Sequence, residues 1–225
     1  MEPSEDKSIQ ASAIFNKHAE AYQNRFMNVD LYKDSLNTFC DTITQKSPQV
    51  LDIACGPGNV AKYLLSRRPD LLLLGLDLAP KMIDLANRNN PNAHFEVMDC
   101  RSINKLVQKF HAVICSFCLP YISSADVNHL IHNIGNLLFE KSVLYISTIE
   151  GNYTNSGYKK SSQGDLVFMH YYDEAYLTKE LKKNGFFIFD ISRKENVTGN
   201  GEKMIDLIII AKKRLIPQIA FYENL

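Results

Sequence analysis

The sequence has no excess of positive charge and no long hydrophobic run. Its 25 basic residues are balanced by 25 acidic residues, so the formal net charge is zero. Proteins whose main partner is a nucleic acid usually carry a basic excess, and we therefore expect no nucleic-acid partner. No apolar stretch approaches the roughly 18 residues that a membrane-spanning helix needs. Residues 1–12 are polar, so neither a membrane anchor nor a signal peptide is expected.

Cysteine is also sparse, and its spacing does not form a disulfide framework. The five cysteines are Cys40, Cys55, Cys100, Cys115 and Cys118. An odd set of this kind predicts free thiols and a cytoplasmic protein. Cys115 and Cys118 have CxxC spacing, but one such pair supplies only half of the ligands of a tetrahedral zinc site, so no metal is expected.

The most informative stretch is residues 49–65. A short apolar run ends at the tight turn Gly56-Pro57-Gly58, and a helical pattern follows. Strand, glycine turn and helix together bring backbone N–H groups close to a ligand, because glycine has no side chain in the way. The spacing of Gly56, Gly58 and Ala61 also fits the dinucleotide fingerprint. The turn alone therefore leaves a nicotinamide-dependent oxidoreductase open.

Acidic residues around this turn favour a ligand that carries positive charge and hydroxyl groups. Asp52 lies within the strand that precedes the turn, and Asp99 follows a later strand. Pro57 removes an N–H from the loop, which weakens a phosphate cradle. Asp77 ends the next apolar run, close to the distance of about 20 residues at which a carboxylate reaches a ribose in Rossmann-like folds.

Three sequence blocks closely resemble the motifs of the class I S-adenosylmethionine-dependent methyltransferases. They span residues 52–58, 74–83 and 95–100, in the order and approximate separation of that family, and the resemblance covers about residues 13–213. It implies S-adenosyl-L-methionine as cofactor and S-adenosyl-L-homocysteine as product. It also implies an α/β fold with a Rossmann-like, doubly wound sheet of about seven strands. Most strands would be parallel, the last one antiparallel, with helices on both faces and an N-terminal helical cap.

The resemblance also assigns the residues that would bind the cofactor. Asp52 would favour the methionine ammonium, Asp77 would bind the ribose hydroxyls, and Asp99 would read the adenine amino group. Two alternatives stay open, namely core packing for Met82 and a helix cap or turn for Asp99. The complete set is Asp52, Ala54, Cys55, Gly56, Gly58, Asp77, Leu78, Met82, Asp99, Cys100 and Ser116.

Three residues are candidates for a role beside the transferred methyl group. Tyr22 resembles a cap tyrosine that often lies near the methionine moiety, although Tyr22 and Phe26 also form a simple apolar stripe. Tyr121 follows the fourth strand, and parallel sheets place ligands beyond the carboxyl ends of their strands. His170 is the only histidine beside the expected acceptor side. It is a candidate general base, with packing of a lid as the alternative.

The chain is expected to form one domain, since 225 residues can bury a sizeable core. We predict a disordered tail over residues 1–11, a methyltransferase domain over 12–213 and a C-terminal tail over 214–225. Within the domain, residues 12–46 would form the helical cap and 150–172 a lid or substrate segment. Near the end, two apolar strands over 186–192 and 204–211 would be joined by a polar loop over 193–203.

The leading functional hypothesis is methyl transfer to a small-molecule acceptor through nitrogen, oxygen or carbon. Residues 116–121 lack the Asn-Pro-Pro-Tyr type of motif with which amino-group methyltransferases of DNA grip their target, which counts against a nucleobase acceptor. The alternatives are an S-adenosylmethionine-binding protein without transferase activity and a nicotinamide-dependent oxidoreductase. We expect a monomer or homodimer.

Overall fold

The computed structural model describes residues 6–161, 163–197 and 203–215. Among the helices in these ranges, none has both the length and the apolar character to cross a membrane.

Within the described ranges, nine strands form one large sheet and one small hairpin. The strands are β1 (Gln49–Ile53), β2 (Leu72–Asp77), β3 (His94–Val97), β4 (Phe110–Ser116), β5 (Leu138–Ile149), β6 (Gly157–Lys160), β7 (Leu166–Met169), β8 (Phe186–Val197) and β9 (Lys203–Lys213). The large sheet has seven strands in the order β3-β2-β1-β4-β5-β9-β8. Strands β1 to β5 are parallel, and β9 lies antiparallel between β5 and β8. The predicted fold, including the reversed last strand, is confirmed.

Helices cover both faces of this sheet. They are α1 (Lys7–Lys17), α2 (Ala19–Phe26), α3 (Lys33–Thr42), α4 (Asn59–Arg67), α5 (Pro80–Asn89), α6 (Ser124–Leu137) and α7 (Glu174–Lys183). Side chains of α3, α4 and α5 share one buried cluster with the sheet, and side chains of α6 and α7 share another. Because the central strands are buried on both faces, their sequences are nearly continuous apolar runs.

The prediction of a disordered tail over residues 1–11 is wrong for residues 7–11, because they belong to helix α1. The helix begins at Lys7, since Asp6 is a good N-cap residue. Its carboxylate accepts hydrogen bonds from the backbone N–H groups of Ser8 at 2.9 Å and Ile9 at 3.4 Å. Residues 1–5 of the predicted tail lie outside the described ranges.

The polar loop predicted over residues 193–203 is also largely wrong. Strand β8 continues to Val197 and β9 already starts at Lys203. The extension pairs polar side chains across the sheet: Arg193 binds the Glu150 carboxylate, and Asn196 donates to Asp206. Residues 198–202, and all of the predicted C-terminal tail after Leu215, lie outside the described ranges.

Residues 150–172 form a small structure of their own. Strands β6 and β7 pair antiparallel, and a short 3-10 turn over Tyr153–Asn155 precedes them. The hairpin packs against the N-terminal helices, because Asp165 accepts hydrogen bonds from Lys17 at 2.8 Å and from the His18 imidazole at 2.7 Å. The segment therefore lies against α1, on the cap side of the domain.

Candidate functional site

A cavity of about 110 Å³ lies at the carboxyl ends of β1 to β4 and is covered by α1 and α2. All of the predicted cofactor residues line it except Asp52, Cys55 and Gly58. The lining consists of Ser8, Ala11, Ser12, Phe15, Tyr22, Ala54, Gly56, Asp77, Leu78, Met82, Met98, Asp99, Cys100, Ser116, Phe117, Cys118, Tyr121 and Ile122.

The turn after β1 is held in an unusual backbone conformation. Ala54 and Gly56 have φ values of 56° and 53°, in the left-handed region. This region is uncommon for a residue with a Cβ, and such strain concentrates at functional sites. A Cβ on Gly56 would meet no neighbouring atom closer than 3.8 Å, where Cε1 of Tyr22 lies. The backbone at Gly56 is therefore open to a ligand in the cavity.

Asp77 fixes this turn from the end of the neighbouring strand. One carboxylate oxygen accepts the backbone N–H of Gly56 at 2.9 Å, and the other accepts that of Ala79 at 2.8 Å. Burial raises the pKa of Asp77, while these backbone hydrogen bonds oppose the rise. Each carboxylate oxygen can accept a further hydrogen bond, so Asp77 is held in place with capacity left for a hydroxyl group.

Asp52 lies beneath the turn and does not line the cavity. Its side chain is 1% exposed, and neither carboxylate oxygen has a hydrogen-bond partner among the described residues. Burial, with a smaller contribution from the charge of Asp77, raises the pKa of Asp52 to about 8. Burying an ionised carboxylate costs free energy unless a cation or a hydrogen-bond donor compensates its charge. With this pKa the side chain keeps its proton near neutral pH, and a positive charge placed nearby would favour its ionised form.

Asp99 caps a short helix, as one interpretation of the sequence held, and it also lines the cavity, so a role in binding adenine stays a prediction. It lines the cavity and also caps the short 3-10 helix Cys100–Lys105 by accepting the backbone N–H of Arg101 at 2.9 Å. The Arg101 guanidinium binds both of its oxygens, at 2.6 to 3.0 Å. Burial tends to raise the pKa of Asp99, but the Arg101 hydrogen bonds outweigh burial and hold the pKa below its ordinary value. Asp99 is thus a charged carboxylate at the cavity wall.

Residues 50–141 match the family model of a methyltransferase domain. A protein of Invertebrate iridescent virus 6 that is named as a methyltransferase is 32% identical over 149 residues, which cover 64% of this chain and 55% of that protein. The sequence motifs, the sheet order and this match agree. Together they support a class I S-adenosylmethionine-dependent methyltransferase.

Solved structures share this fold. Magnesium protoporphyrin IX methyltransferase from Synechocystis, with bound SAM, has a TM-score of 0.70 at 16% identity, covering 95% of this chain and all of that one. The [4+2]-cyclase SpnF has a TM-score of 0.65 at 14% identity and covers 82% of each chain. The chain spans about half the length of the viral relative that it matches.

Gly58 and Cys55, two predicted cofactor residues, do not line the cavity and instead pack within the domain. Gly58 has a φ of 76°, and a Cβ there would lie 3.2 Å from the Cα of Ala86 and closer still to the Asn90 amide. The glycine thus allows α4 to approach α5. Cys55 is buried, and its N–H donates to the Leu76 carbonyl at 2.9 Å.

Three aromatic side chains, Phe15, Tyr22 and Tyr121, lie together in the cavity lining. The Phe15 ring lies edge-on to Tyr121 at 4.8 Å and to Tyr22 at 5.7 Å between centroids. Burial, with a smaller contribution from Asp77, raises the pKa of Tyr22 to about 12, so its hydroxyl group stays protonated. Tyr22 also packs on Phe26 at 4.6 Å, so its apolar stripe and its place in the cavity coexist. Met82 likewise is both 2% exposed and part of the lining.

His170 lies outside the residues that line the cavity. Its ring stacks on Tyr153 at 5.6 Å and packs on Phe168 at 4.8 Å, while its backbone N–H donates to the Pro120 carbonyl at 2.7 Å. The ring atom Nδ1 is buried without a hydrogen-bond partner among the described residues. Burial first, and the charge of Lys7 second, lower the pKa of His170. The neutral ring can accept a proton, and a role as base stays a prediction.

Sequence reasoning missed several lining residues, above all those of α1. Ser8, Ala11, Ser12 and Phe15 share one helix face, with the i, i+3, i+4, i+7 spacing that indicates a helix contacting the domain. The capping residue Asp6 is a second signal in the sequence. Phe117 has a φ of 54°, which no local pattern predicts. The remaining missed residues are Met98 and Ile122.

Proposed function

We propose that the protein transfers the methyl group of S-adenosyl-L-methionine to a small-molecule acceptor. The observation that carries this proposal is the Asp77 carboxylate, which binds the glycine turn and also lines the cavity. Asp99 lines the same cavity from the next strand, and the unpartnered Asp52 lies below it. Two carboxylates on the wall and a third beneath it fit a cationic nucleoside better than a diphosphate.

The residues present fit the proposed cofactor. Asp77 would bind the ribose hydroxyls, and Asp99 would accept the adenine amino group. The Asp52 carboxylate, buried without a partner, would be compensated by the methionine ammonium. The open backbone at Gly56 would let the methionine part approach closely.

Bound S-adenosylmethionine supplies a methyl group on a positively charged sulfur. The work of the protein is then to orient the reactants and exclude water, and orientation alone contributes up to about 7–11 kcal/mol in favourable cases. The rings of Phe15, Tyr22 and Tyr121 lie together at the cavity. Their faces attract a cation, which supports a place for the sulfonium beside them. A general base is required only for an acceptor that loses a proton during attack.

Three observations support a small-molecule acceptor. The cavity lies under the helical cap. Its lining also includes Ile122 and Phe117. The formal net charge of the chain is zero. The Synechocystis neighbour is named for a small molecule, magnesium protoporphyrin IX. We also propose a cytoplasmic location, which the five free cysteines support, and the absence of a nucleic-acid partner.

Methyl transfer can be tested with S-adenosylmethionine that carries a deuterated methyl group. The protein is incubated with this cofactor and a metabolite extract, and mass spectrometry finds products that carry the label. The proposal expects a labelled product whose amount falls strongly with Asp77→Ala at a limiting cofactor concentration. Cofactor binding without any labelled product would favour a binding protein without transferase activity. A binding protein without transferase activity is the second candidate function. It is supported by SpnF, which has a similar fold and is named as a cyclase.

A further inference from the structure

Arg101 connects the carboxylate of Asp6, at the start of α1, to that of Asp99, at the cavity wall. One terminal nitrogen of its guanidinium donates to Asp6 at 2.7 Å, and the other donates to Asp99 at 2.6 Å. Asp6 is the N-cap of α1, whereas Asp99 follows β3. The Arg101 side chain is 24% exposed, so the bridge is only partly solvated. A single planar guanidinium therefore joins the helix that covers the cavity to the carboxylate expected to read adenine.

Arg101 occupies most of the hydrogen-bonding capacity of Asp99. One oxygen accepts the Arg101 backbone N–H at 2.9 Å and Nε at 3.0 Å, and the other accepts Nε at 3.0 Å and a terminal nitrogen at 2.6 Å. A carboxylate has about four lone-pair sites. An adenine amino group can bind Asp99 only if it shares or displaces one of these bonds, so binding at Asp99 must involve Arg101.

Helix α1 must also move for a nucleoside to enter. The cavity measures about 110 Å³, whereas pockets that hold a ligand of this size class measure roughly 300–1,000 Å³. Ala11 is the one fully buried residue of α1. Phe15 of α1 also packs on aromatic rings, but the remaining contacts include the Arg101 bridge, the Lys7 ammonium over the Phe168 ring and the Lys17 bond to Asp165. Contacts of this kind break and re-form at small cost.

We propose that Arg101 is a positioning residue that couples cofactor recognition at Asp99 to closure of α1 through Asp6. In the closed protein the bridge holds the N-terminus of α1 over the cavity, and it opens when the cofactor enters or leaves. This inference rests on the proposed function, because S-adenosylhomocysteine is its probe.

The Asp6→Asn variant tests the Asp6–Arg101 bridge separately from the N-cap of α1. Asparagine is as good an N-cap as aspartate, so α1 keeps its start, but the amide cannot form the ion pair with Arg101. Stopped-flow measurements with S-adenosylhomocysteine should show that the association and dissociation rate constants both rise by about threefold, as expected for loss of a partly exposed ion pair. The dissociation constant should change little. Loss of packing alone would instead weaken binding without faster association.

Asp41→Asn is the matched control, because it removes the exposed Asp41–Arg67 pair at 3.1 Å between α3 and α4. Its rate constants should equal those of the unmodified protein. Arg101→Met should weaken S-adenosylhomocysteine binding about tenfold, because Asp99 then loses its orienting partner as well. Adding Asp6→Asn to Arg101→Met should produce no further change, since the bridge is already absent.

The inference is overturned if Asp6→Asn leaves both rate constants within the error of the Asp41→Asn control. It is also overturned if the two variants at the bridge have additive effects. If the unmodified protein binds S-adenosylhomocysteine and either result is obtained, only the coupling fails. If the unmodified, folded protein does not bind S-adenosylhomocysteine, the proposed function and the coupling fail together.

Discussion

The Asp77 carboxylate accepts the backbone N–H of Gly56 at 2.9 Å, although the two residues lie 21 positions apart. This bond joins the end of β2 to the glycine turn after β1. It makes one carboxylate responsible both for the shape of the turn and for part of the cavity wall.

Replacing Asp77 with alanine should weaken S-adenosylmethionine binding at least tenfold, or about 1.4 kcal/mol. The variant loses hydrogen bonds to the ribose and also the bond that holds Gly56 in place. Titration calorimetry measures the change. Asp84→Ala is the control, because Asp84 is exposed on α5 and does not line the cavity. Equal affinities for the two variants would contradict the role of Asp77.

Replacing Gly58 with alanine should destabilise the fold by about 2 kcal/mol or more, because the new Cβ is strained at φ 76° and crowds Ala86. Urea denaturation measures the free energy of unfolding. Gly157→Ala is the control: a Cβ there meets nothing within 4 Å, so its effect should stay within about 0.5 kcal/mol. A Gly58→Ala variant as stable as the control would show that the α4–α5 contact adjusts freely.

Asp52 should make the protein less stable as the pH rises. Its pKa of about 8 lies above the ordinary 3.8, so the folded protein keeps a proton that the unfolded chain releases between these values. The free energy of unfolding therefore falls through this window, and Asp52→Asn should remove this part of the fall. Urea denaturation at about pH 5 and about pH 8 compares the two proteins. Parallel pH profiles would show that Asp52 titrates normally.

Replacing His170 with glutamine tests the proposed general base. If the buried, unpartnered Nδ1 accepts a proton from the acceptor, methyl transfer should fall by about 100-fold while S-adenosylhomocysteine affinity is kept. His129→Gln provides the comparison, because His129 is exposed on α6. Unchanged transfer in a stable His170→Gln variant would leave His170 with only its packing against Tyr153 and Phe168.

Buried parallel strands could be predicted well from the sequence, but the outer part of the sheet could not. Strand β2 is a continuous apolar run because both of its faces are covered. Strand β8 continues through polar residues because it pairs with β9 along an exposed edge. Arg193 finds its partner Glu150 at a distance of 43 residues along the chain. No local pattern reveals such a partner, so these residues were predicted as a loop.

The same limit applies to the candidate site. Asp77 and Asp99 could be predicted because parallel strands end at one edge of the sheet, where ligands bind. The bridge from Asp99 through Arg101 to Asp6 depends on how α1 docks, which the polar sequence of residues 6–10 does not reveal. The ring of His170 is directed by the β6–β7 hairpin into an aromatic cluster. Its position in the sequence indicated only that it lies beside the expected acceptor side.

The most direct test of the account is titration calorimetry of the folded protein with S-adenosylhomocysteine, with NADH in a parallel fluorescence titration. We expect one S-adenosylhomocysteine to bind per chain, at least tenfold more weakly in Asp77→Ala, and we expect no binding of NADH. Absence of heat with S-adenosylhomocysteine from well-folded protein, or saturable binding of NADH at the same cavity, would contradict the proposed methyltransferase function.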